Sequence, residues 1–285
     1  MITQILIYGT LKGSILAIIA VGFCLLFGVA RMINLAHGTY YMLGAYGVYV
    51  FYSAVHLPLL AALALSVVVV GGIATLVDFA FLRWRRDDKV YELVFTVALA
   101  LLVEETLIFF LGSHGRNVPS FVEGTTTFLG TKVPVYQFFI FGLSVGILSL
   151  LWLFMAYTSW GKAISAVSQR REAAIYCGID PNVVIPGVVF ISAGLAALAG
   201  GVISPILVIN PYMWLFALIK AFAIVILGGL GNVLGSVLAS FLLGYSEVAV
   251  AFTVSDALSE SVSLMVIIVA LLVRPKGLLG LKVAR

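Results

Sequence analysis

The sequence predicts an all-α polytopic membrane protein with about eight to ten transmembrane helices, some of them broken or re-entrant. Three observations carry this. Hydrophobic residues make up 63% of the 285 positions. Charged residues make up 10%, where soluble domains carry about 25%. Apolar runs of about 20 residues, the length needed to cross hydrocarbon as a helix, recur along the whole sequence. No connecting stretch is long enough for a second domain, so residues 1–285 read as one transmembrane domain.

The runs follow one another with short interruptions. The first, 5–30, contains Lys12; no basic stretch precedes it, and it is longer than a signal-peptide core, so it reads as a retained span. A polar break at 31–39 leads to a Tyr- and Gly-rich run, 40–55, then a turn at 56–58 and a third run, 59–82. The charged stretch 83–89 precedes the fourth run, 90–111, which carries Glu104 and Glu105. A Gly-, Ser-, Thr- and Pro-containing loop, 112–134, has enough Thr and Val for a short hairpin. The fifth run is 135–159 and the sixth 184–209, with an amphipathic stretch, 160–183, between them. After Asn210-Pro-Tyr212 come 213–227, the Gly-rich break 228–232, 233–252, polar 253–260, 261–273 and a basic tail. Nine crossings result. The breaks at Asn34 and at Gly228–Gly231 are either connections or re-entrant segments.

Basic residues set the orientation, because Lys and Arg gather in cytoplasmic loops. With 83–89, 160–183 and the tail on one side, that side holds Arg83, Arg85, Arg86, Lys89, Lys162, Arg170, Arg171, Arg274, Lys276, Lys282 and Arg285. The opposite loops hold Arg116 and Lys132. The 160–183 stretch and the C-terminus are therefore expected in the cytoplasm, with 112–134 and the N-terminus outside. The net charge of +4 needs no nucleic acid.

Between Lys162 and Tyr176 good helix formers occur without Pro, and Ile164, Val167, Ala174 and Ile175 form one narrow apolar stripe. Gly178 suits the helix end and Pro181 stops it. Two readings suit such a helix at a membrane face: docking on a partner protein, or lying on the lipid surface.

Catalytic motifs fail on context. Gly142-Leu-Ser-Val-Gly146 matches a nucleophile elbow, but that elbow needs a strand-to-helix turn; inside an apolar helix the glycines read as a packing face, as do Gly9/Gly13 and Gly231/Gly235. There is no phosphate-binding G-x-x-x-x-G-K-[ST], three scattered histidines make no metal enzyme, and Cys24 and Cys177 lie too far apart in sequence to read as a disulfide. Polar groups at membrane depth remain. Lys12, Arg31, Asn34, His37, Asp78, Glu104, Glu105, Lys220 and Glu247 are candidates; an ionised group costs about 2.5–3.5 kcal/mol at a bilayer centre. Lys12 and Asp78 read best as snorkelling near a span end. Glu104 and Glu105 read either as partners of a cation such as Lys220 or as pathway groups. Asn34, His37 and Asn210 sit beside Gly or Pro breaks, where freed backbone groups need partners and broken helices line substrate routes. Of the tyrosines at 40, 41, 46, 49 and 52, Tyr40 and Tyr41 adjoin such a break.

Four segments then carry a family resemblance. Met32-Ile-Asn-Leu-Ala-His-Gly-Thr-Tyr-Tyr-Met-Leu-Gly-Ala-Tyr46 resembles the first hallmark of the branched-chain amino-acid permeases of ATP-binding-cassette importers, in particular the shorter member of the permease pair. Asn210-Pro-Tyr212, Lys220-Ala-Phe222 and Leu227-Gly-Gly-Leu-Gly231 resemble a second hallmark. Gly161-Lys-Ala163 with Gly178-Ile-Asp180 resembles the cytoplasmic coupling segment, and Arg274-Pro-Lys-Gly-Leu-Leu-Gly280 the closing motif. Thr39 departs from the pattern, since many members that carry branched-chain amino acids have Glu there; related permeases serve amides, urea and aromatic or other small acids.

The resemblance implies a multi-pass permease of the bacterial inner membrane, with no enzymatic activity or cofactor of its own. It would pair with a second homologous permease, two cytoplasmic ATPases that bind ATP and magnesium, and an external substrate-binding protein. Coupling would fall to Lys162, Ala163, Val167, Arg170, Arg171, Glu172, Ala173, Gly178, Ile179 and Asp180. The path would involve Asn34, His37, Thr39, Tyr40, Asn210, Tyr212 and Lys220. The competing expectation is a self-sufficient secondary transporter or channel, with Glu104, Glu105 and Lys220 as an ion relay; an intramembrane enzyme using Ser144 is a third.

Overall fold

The computed structural model describes residues 1–86, 88–273 and 277–279. Helix α1 (Ile2–Ala30) packs on helices from both halves of the chain. It is apolar all round, as befits a helix buried among helices, and most of it is enclosed. The remaining helices are α2 (His37–Ser53), α3 (Leu59–Val77), α4 (Lys89–Leu111), α5 (Val135–Tyr157), α6 (Ser159–Gln169), α7 (Arg171–Tyr176), α8 (Pro181–Ile203), α9 (Met213–Gly228), α10 (Val233–Thr253) and α11 (Asp256–Val273). α3 runs on through a π-helical turn, Asp78–Leu82, into a 3-10 turn, Arg83–Arg85. The predicted hairpin exists as β1 (Thr125–Phe128) and β2 (Thr131–Pro134), antiparallel with Thr125 opposite Pro134. Among the described residues, α1, α4, α5, α8, α10 and the α3 segment through Arg85 are long and apolar enough to cross a membrane.

The helices pack through small residues. Gly9 and Gly13 of α1 meet Tyr245, Phe241 and Gly244 of α10, and α2 lies so close to α8 that a Cβ on Gly44 would come 2.1 Å from the Ala197 carbonyl oxygen. Gly142 and Gly146 differ: among the described residues, a Cβ added at either would meet nothing within 4 Å beyond its own helix. Their expected packing face is open surface here, on a helix that is mostly exposed and apolar.

The connections divide into two ends. One gathers Arg31, Lys89, Arg83–Arg86 and the α6–α7 stretch: Lys89 Nζ donates to the Arg31 carbonyl at 2.8 Å, and Arg171 bears electrostatically on Arg86. Residues 277–279 join this end, where Leu278 N–H donates to the Leu227 carbonyl at 2.7 Å. Arg274, Lys276, Gly280, Lys282 and Arg285, which complete the expected tail and closing motif, lie outside the described residues. The hairpin marks the other end with Arg116, whose backbone pairs with Ile209.

One expectation is corrected and one open alternative is decided. The amphipathic stretch is not one helix. Arg170 is extended (φ −149°, ψ 108°) and divides α6 from α7. One extended residue resets the helical phase, so Ala174 turns inward beside Ile164 and Val167 while Ile175 is 55% exposed. The Gly228–Gly231 break, left open between a connection and a re-entrant segment, is a tight turn joining α9 to α10 at the basic end; residues 204–212 form a further break, between α8 and α9. Pro181 does more than stop a helix, for it opens α8 behind the cap of Asp180, its missing N–H being no loss there.

Candidate functional site

Two short helices, α2 and α9, begin in the interior. After α1 ends at Arg31, residues 32–36 turn back, and His37 Nε2 reaches the Ile19 carbonyl at 3.0 Å. Ile19 lies eleven residues before the end of α1, about 16 Å at 1.5 Å per residue. The same turn opens both short helices. Asn34 Oδ1 accepts from Ala36 N–H at 2.9 Å, and Asn210 Oδ1 accepts from Tyr212 N–H at 3.0 Å. Each helix then starts three residues after its asparagine, whose side chain supplies the bond that a helix start lacks. The two starts touch: a Cβ on Gly38 would meet the Trp214 carbonyl.

The Asn34 break is closed. Backbone groups of residues 31–35 meet one face of α4. Lys89 holds the Arg31 carbonyl, Glu92 lies against Ile33 N–H, and Leu35 N–H donates to Thr96 Oγ1 at 3.3 Å. Tyr40 bridges this segment to α3, its hydroxyl within hydrogen-bonding reach of Asn34 and in the field of Asp78. Asp78 in turn accepts from Arg86 at 2.6 Å, both side chains being buried. Burial lowers the Arg86 pKa from its ordinary value and Asp78 opposes that shift. Asp78 is thus paired in the interior, not snorkelling: the π-helical turn carries its carboxylate inward to a guanidinium eight residues on.

The Asn210 break opens onto a cavity of about 290 Å³ between α1, α2, α9 and α11. Its apolar wall includes Ile15, Ile19, Met213 and Phe216; Asn210, Lys12, Lys220 and Glu260 supply polarity. Glu247, enclosed behind it on α10, pairs with Lys12 at 2.8 Å and Lys220 at 3.2 Å. The Lys12 side chain keeps 36% exposure and that of Lys220 18%, against 0% for Glu247. Lys12 is therefore ion-paired at the cavity wall, because α10 brings a carboxylate across at its level. The anticipated Glu104/Glu105/Lys220 relay does not assemble. Glu104 accepts from Trp214 Nε1 at 2.5 Å, Glu105 is exposed on α4, and Lys220 is held by Glu247.

Of the expected path residues, Asn210 and Lys220 line the cavity. Tyr212 is exposed at the break, while Asn34, His37, Thr39 and Tyr40 are buried in the packing behind it. His37 also faces Ser192 Oγ at 3.5 Å, and Thr39 Oγ1 has no hydrogen-bond partner among the described residues. Glu92 and Thr96 were missed. The signal was there: Lys89, Glu92 and Thr96 are polar positions at helical spacing in an otherwise apolar run.

The coupling stretch is firmly jointed to the spans. Thr158 Oγ1 accepts from Gly161 N–H at 3.0 Å and Asp180 Oδ1 from Asn182 N–H at 2.8 Å, capping α6 and α8. α7 ends in a Schellman turn, with Ile179 N–H on the Ala174 carbonyl, Gly178 N–H on the Ile175 carbonyl and Gly178 at φ +80°. Ile164, Val167 and Ala174 face the spans. Lys162, Arg170, Arg171, Glu172, Ala173, Gly178 and Asp180 are exposed; Ala163 and Ile179 are half-buried.

Comparisons with known proteins agree with this architecture. The family described as the branched-chain amino acid transport system permease component matches residues 5–271. The chain is 30% identical to the high-affinity branched-chain amino acid transport system permease protein BraD of Pseudomonas aeruginosa, over 97% of this chain and 95% of that one. It is 28% identical to LivH of Escherichia coli K12, described in the same words, over 95% and 93%. A probable LivH from Methanocaldococcus jannaschii is 26% identical over 94% and 89%. Among solved structures, PsaBC from Streptococcus pneumoniae in complex with Fab shares the fold, with a TM-score of 0.57 at 10% identity, covering 96% of this chain and 93% of that one.

Proposed function

Because this chain belongs to the branched-chain amino acid transport permease family, we propose that it is the shorter permease subunit of an ATP-driven importer for amino acids of the branched-chain type or related small amides and acids. In this reading it works with a second homologous permease, two cytoplasmic ATPases and an external binding protein in the bacterial inner membrane, its basic end and C-terminus in the cytoplasm. The observation that carries the ATP-driven step is the α6–α7 stretch. It presents an exposed face with Arg170, Arg171 and Glu172, and its apolar residues grip the spans.

Mechanically, ATPase closure displaces α6–α7. Tight caps at Thr158 and Asp180 leave little slack, so α5 and α8 move with it. α8 packs on α1, α2 and α3, which carries the motion to the paired starts of α2 and α9. Access then alternates between the two faces, an equilibrium shift that requires the ATPases to contact the two states differently. The solute path passes the α2–α9 junction through the cavity at Asn210 and Lys220, with Asn34, His37, Thr39 and Tyr40 forming the wall that must shift.

Affinity purification of the tagged chain from native membranes should bring down an ATPase pair, and uptake should stop on ATP depletion. Purification of this chain alone, with transport surviving ATP depletion, overturns the reading.

A further inference from the structure

Two helices, α4 and α5, are left mostly uncovered by this chain: only 11% of the apolar stretch of each is buried. They differ in charge. α5 holds no Asp, Glu, Lys or Arg between Val135 and Tyr157, so hydrocarbon can cover it without desolvating a charge. α4 carries Glu104 and Glu105 in its outer half. Glu104 turns inward to Trp214. Glu105, about 100° further round the helix, is exposed and has no hydrogen bond or ion pair among the described residues. It stands 16 residues beyond Lys89 at the basic end and six before Leu111, about 24 Å and 9 Å along the axis at 1.5 Å per residue. With about 30 Å of hydrocarbon to cross, that level lies inside the membrane. An unpaired carboxylate facing lipid there is costly, and glutamate lacks the long stem with which Lys and Arg snorkel.

We infer that the face of α4 around Glu105 is where a second membrane-spanning subunit, the homologous permease, packs against this chain, and that a cationic or hydrogen-bond-donating side chain of that subunit meets Glu105. Depth selects the occupant. Cytoplasmic ATPases and an external binding protein do not reach hydrocarbon level, and lipid tails offer the carboxylate no partner. A transmembrane helix reaches that level and can carry the partner. Leu102 and Phe109, three residues before and four after Glu105, are exposed beside it and give the apolar surface that such a helix covers. Towards the basic end α4 bears a shallow apolar hollow lined by Leu93, Val94, Ala98 and Leu101, into which partner side chains fit. α5 is the competing surface, since Gly142 and Gly146 lie bare on it, but it carries no charge that lipid cannot cover. The inference rests on the importer reading for the identity of the second subunit.

The test places a photocrosslinking residue at Leu102 or Phe109 of α4, or at Trp152 of α5, which is also exposed, in the complete complex in native membranes. Irradiation should join the two α4 sites to a second permease, a membrane-spanning chain distinct from this one, identified by mass spectrometry. The α5 site should give lipid adducts. Glu105→Leu should weaken the hold of that permease on this chain in detergent by about ten-fold or more, the loss expected for a hydrogen bond to a charged group. The amount of this chain in the membrane should not fall, since no contact within the chain is lost. No permease adduct from either α4 site, adducts to a second copy of this chain in its place, a permease adduct from the α5 site as strong as theirs, or unchanged association in membrane-inserted Glu105→Leu overturns the assignment. The crosslinks decide the question even if Glu105→Leu fails to insert. ATP-driven uptake measured in parallel separates the two readings. A complex that imports on ATP but gives no permease adduct from α4 refutes this assignment alone; a permease adduct in a complex that moves solute without ATP refutes the importer reading.

Discussion

The two breaks share one turn and differ in what surrounds it. At Asn34 the chain is pinned from α4 by Lys89, Glu92 and Thr96, and the neighbouring Asp78–Arg86 pair is one carboxylate to one guanidinium. At Asn210 the turn is exposed and borders a cavity lined by Lys12, Lys220 and Glu260, with Glu247 paired to both lysines behind it. A sealed break fixes a helix start; an open break leaves a cavity beside it. The same local chemistry therefore yields an anchor on one side of the α2–α9 junction and a cavity wall on the other.

The largest effect should come from unpairing the closed side. Asp78→Leu leaves Arg86 buried without its carboxylate and should cost about 3–5 kcal/mol, read as a fall in melting temperature and folded yield. The double change Asp78→Leu/Arg86→Met should recover most of it; no recovery would mean that the pair does more than balance charge. Next in size, Asn34→Leu removes the turn that opens α2 and leaves the Tyr40 hydroxyl without that partner. A loss of about 0.5–2 kcal/mol is expected, with uptake impaired while the ATPases still copurify. Asn210→Leu should cost less in melting temperature, because water reaches the freed backbone there; equal losses would erase the distinction between the breaks. Smallest should be Lys12→Ala. Lys220 still pairs Glu247, so stability should change by about 0–1 kcal/mol.

Much of this was legible in the sequence because each feature was local. Apolar run length gave the spans, and Asn beside Gly or Pro marked both dipping segments. The Gly178 cap and the Asp180-Pro181 start were readable from a few neighbouring residues. What stayed hidden depended on distant parts of the chain. Nothing near Lys12 announces that Glu247, on α10, lies beside it, so a paired lysine read as a snorkelling one. The phase change at Arg170 was hidden for another reason: Ile175 continues the stripe of an unbroken helix, and only one extended residue moves it outward. The Gly228–Gly231 run left open whether the chain connects or dips there, and only the packing of α9 against α10 shows a tight turn.

The central claim is that partner ATPases work this chain through α6–α7, and a photocrosslinking residue placed at Tyr176, which is 92% exposed, tests it most directly. Irradiation of native membranes should join this chain to an ATPase subunit, and Glu172→Lys in the same complex should lower uptake per ATP hydrolysed. Adducts confined to lipid or to proteins of the external face, with uptake per ATP unchanged in Glu172→Lys, would contradict it.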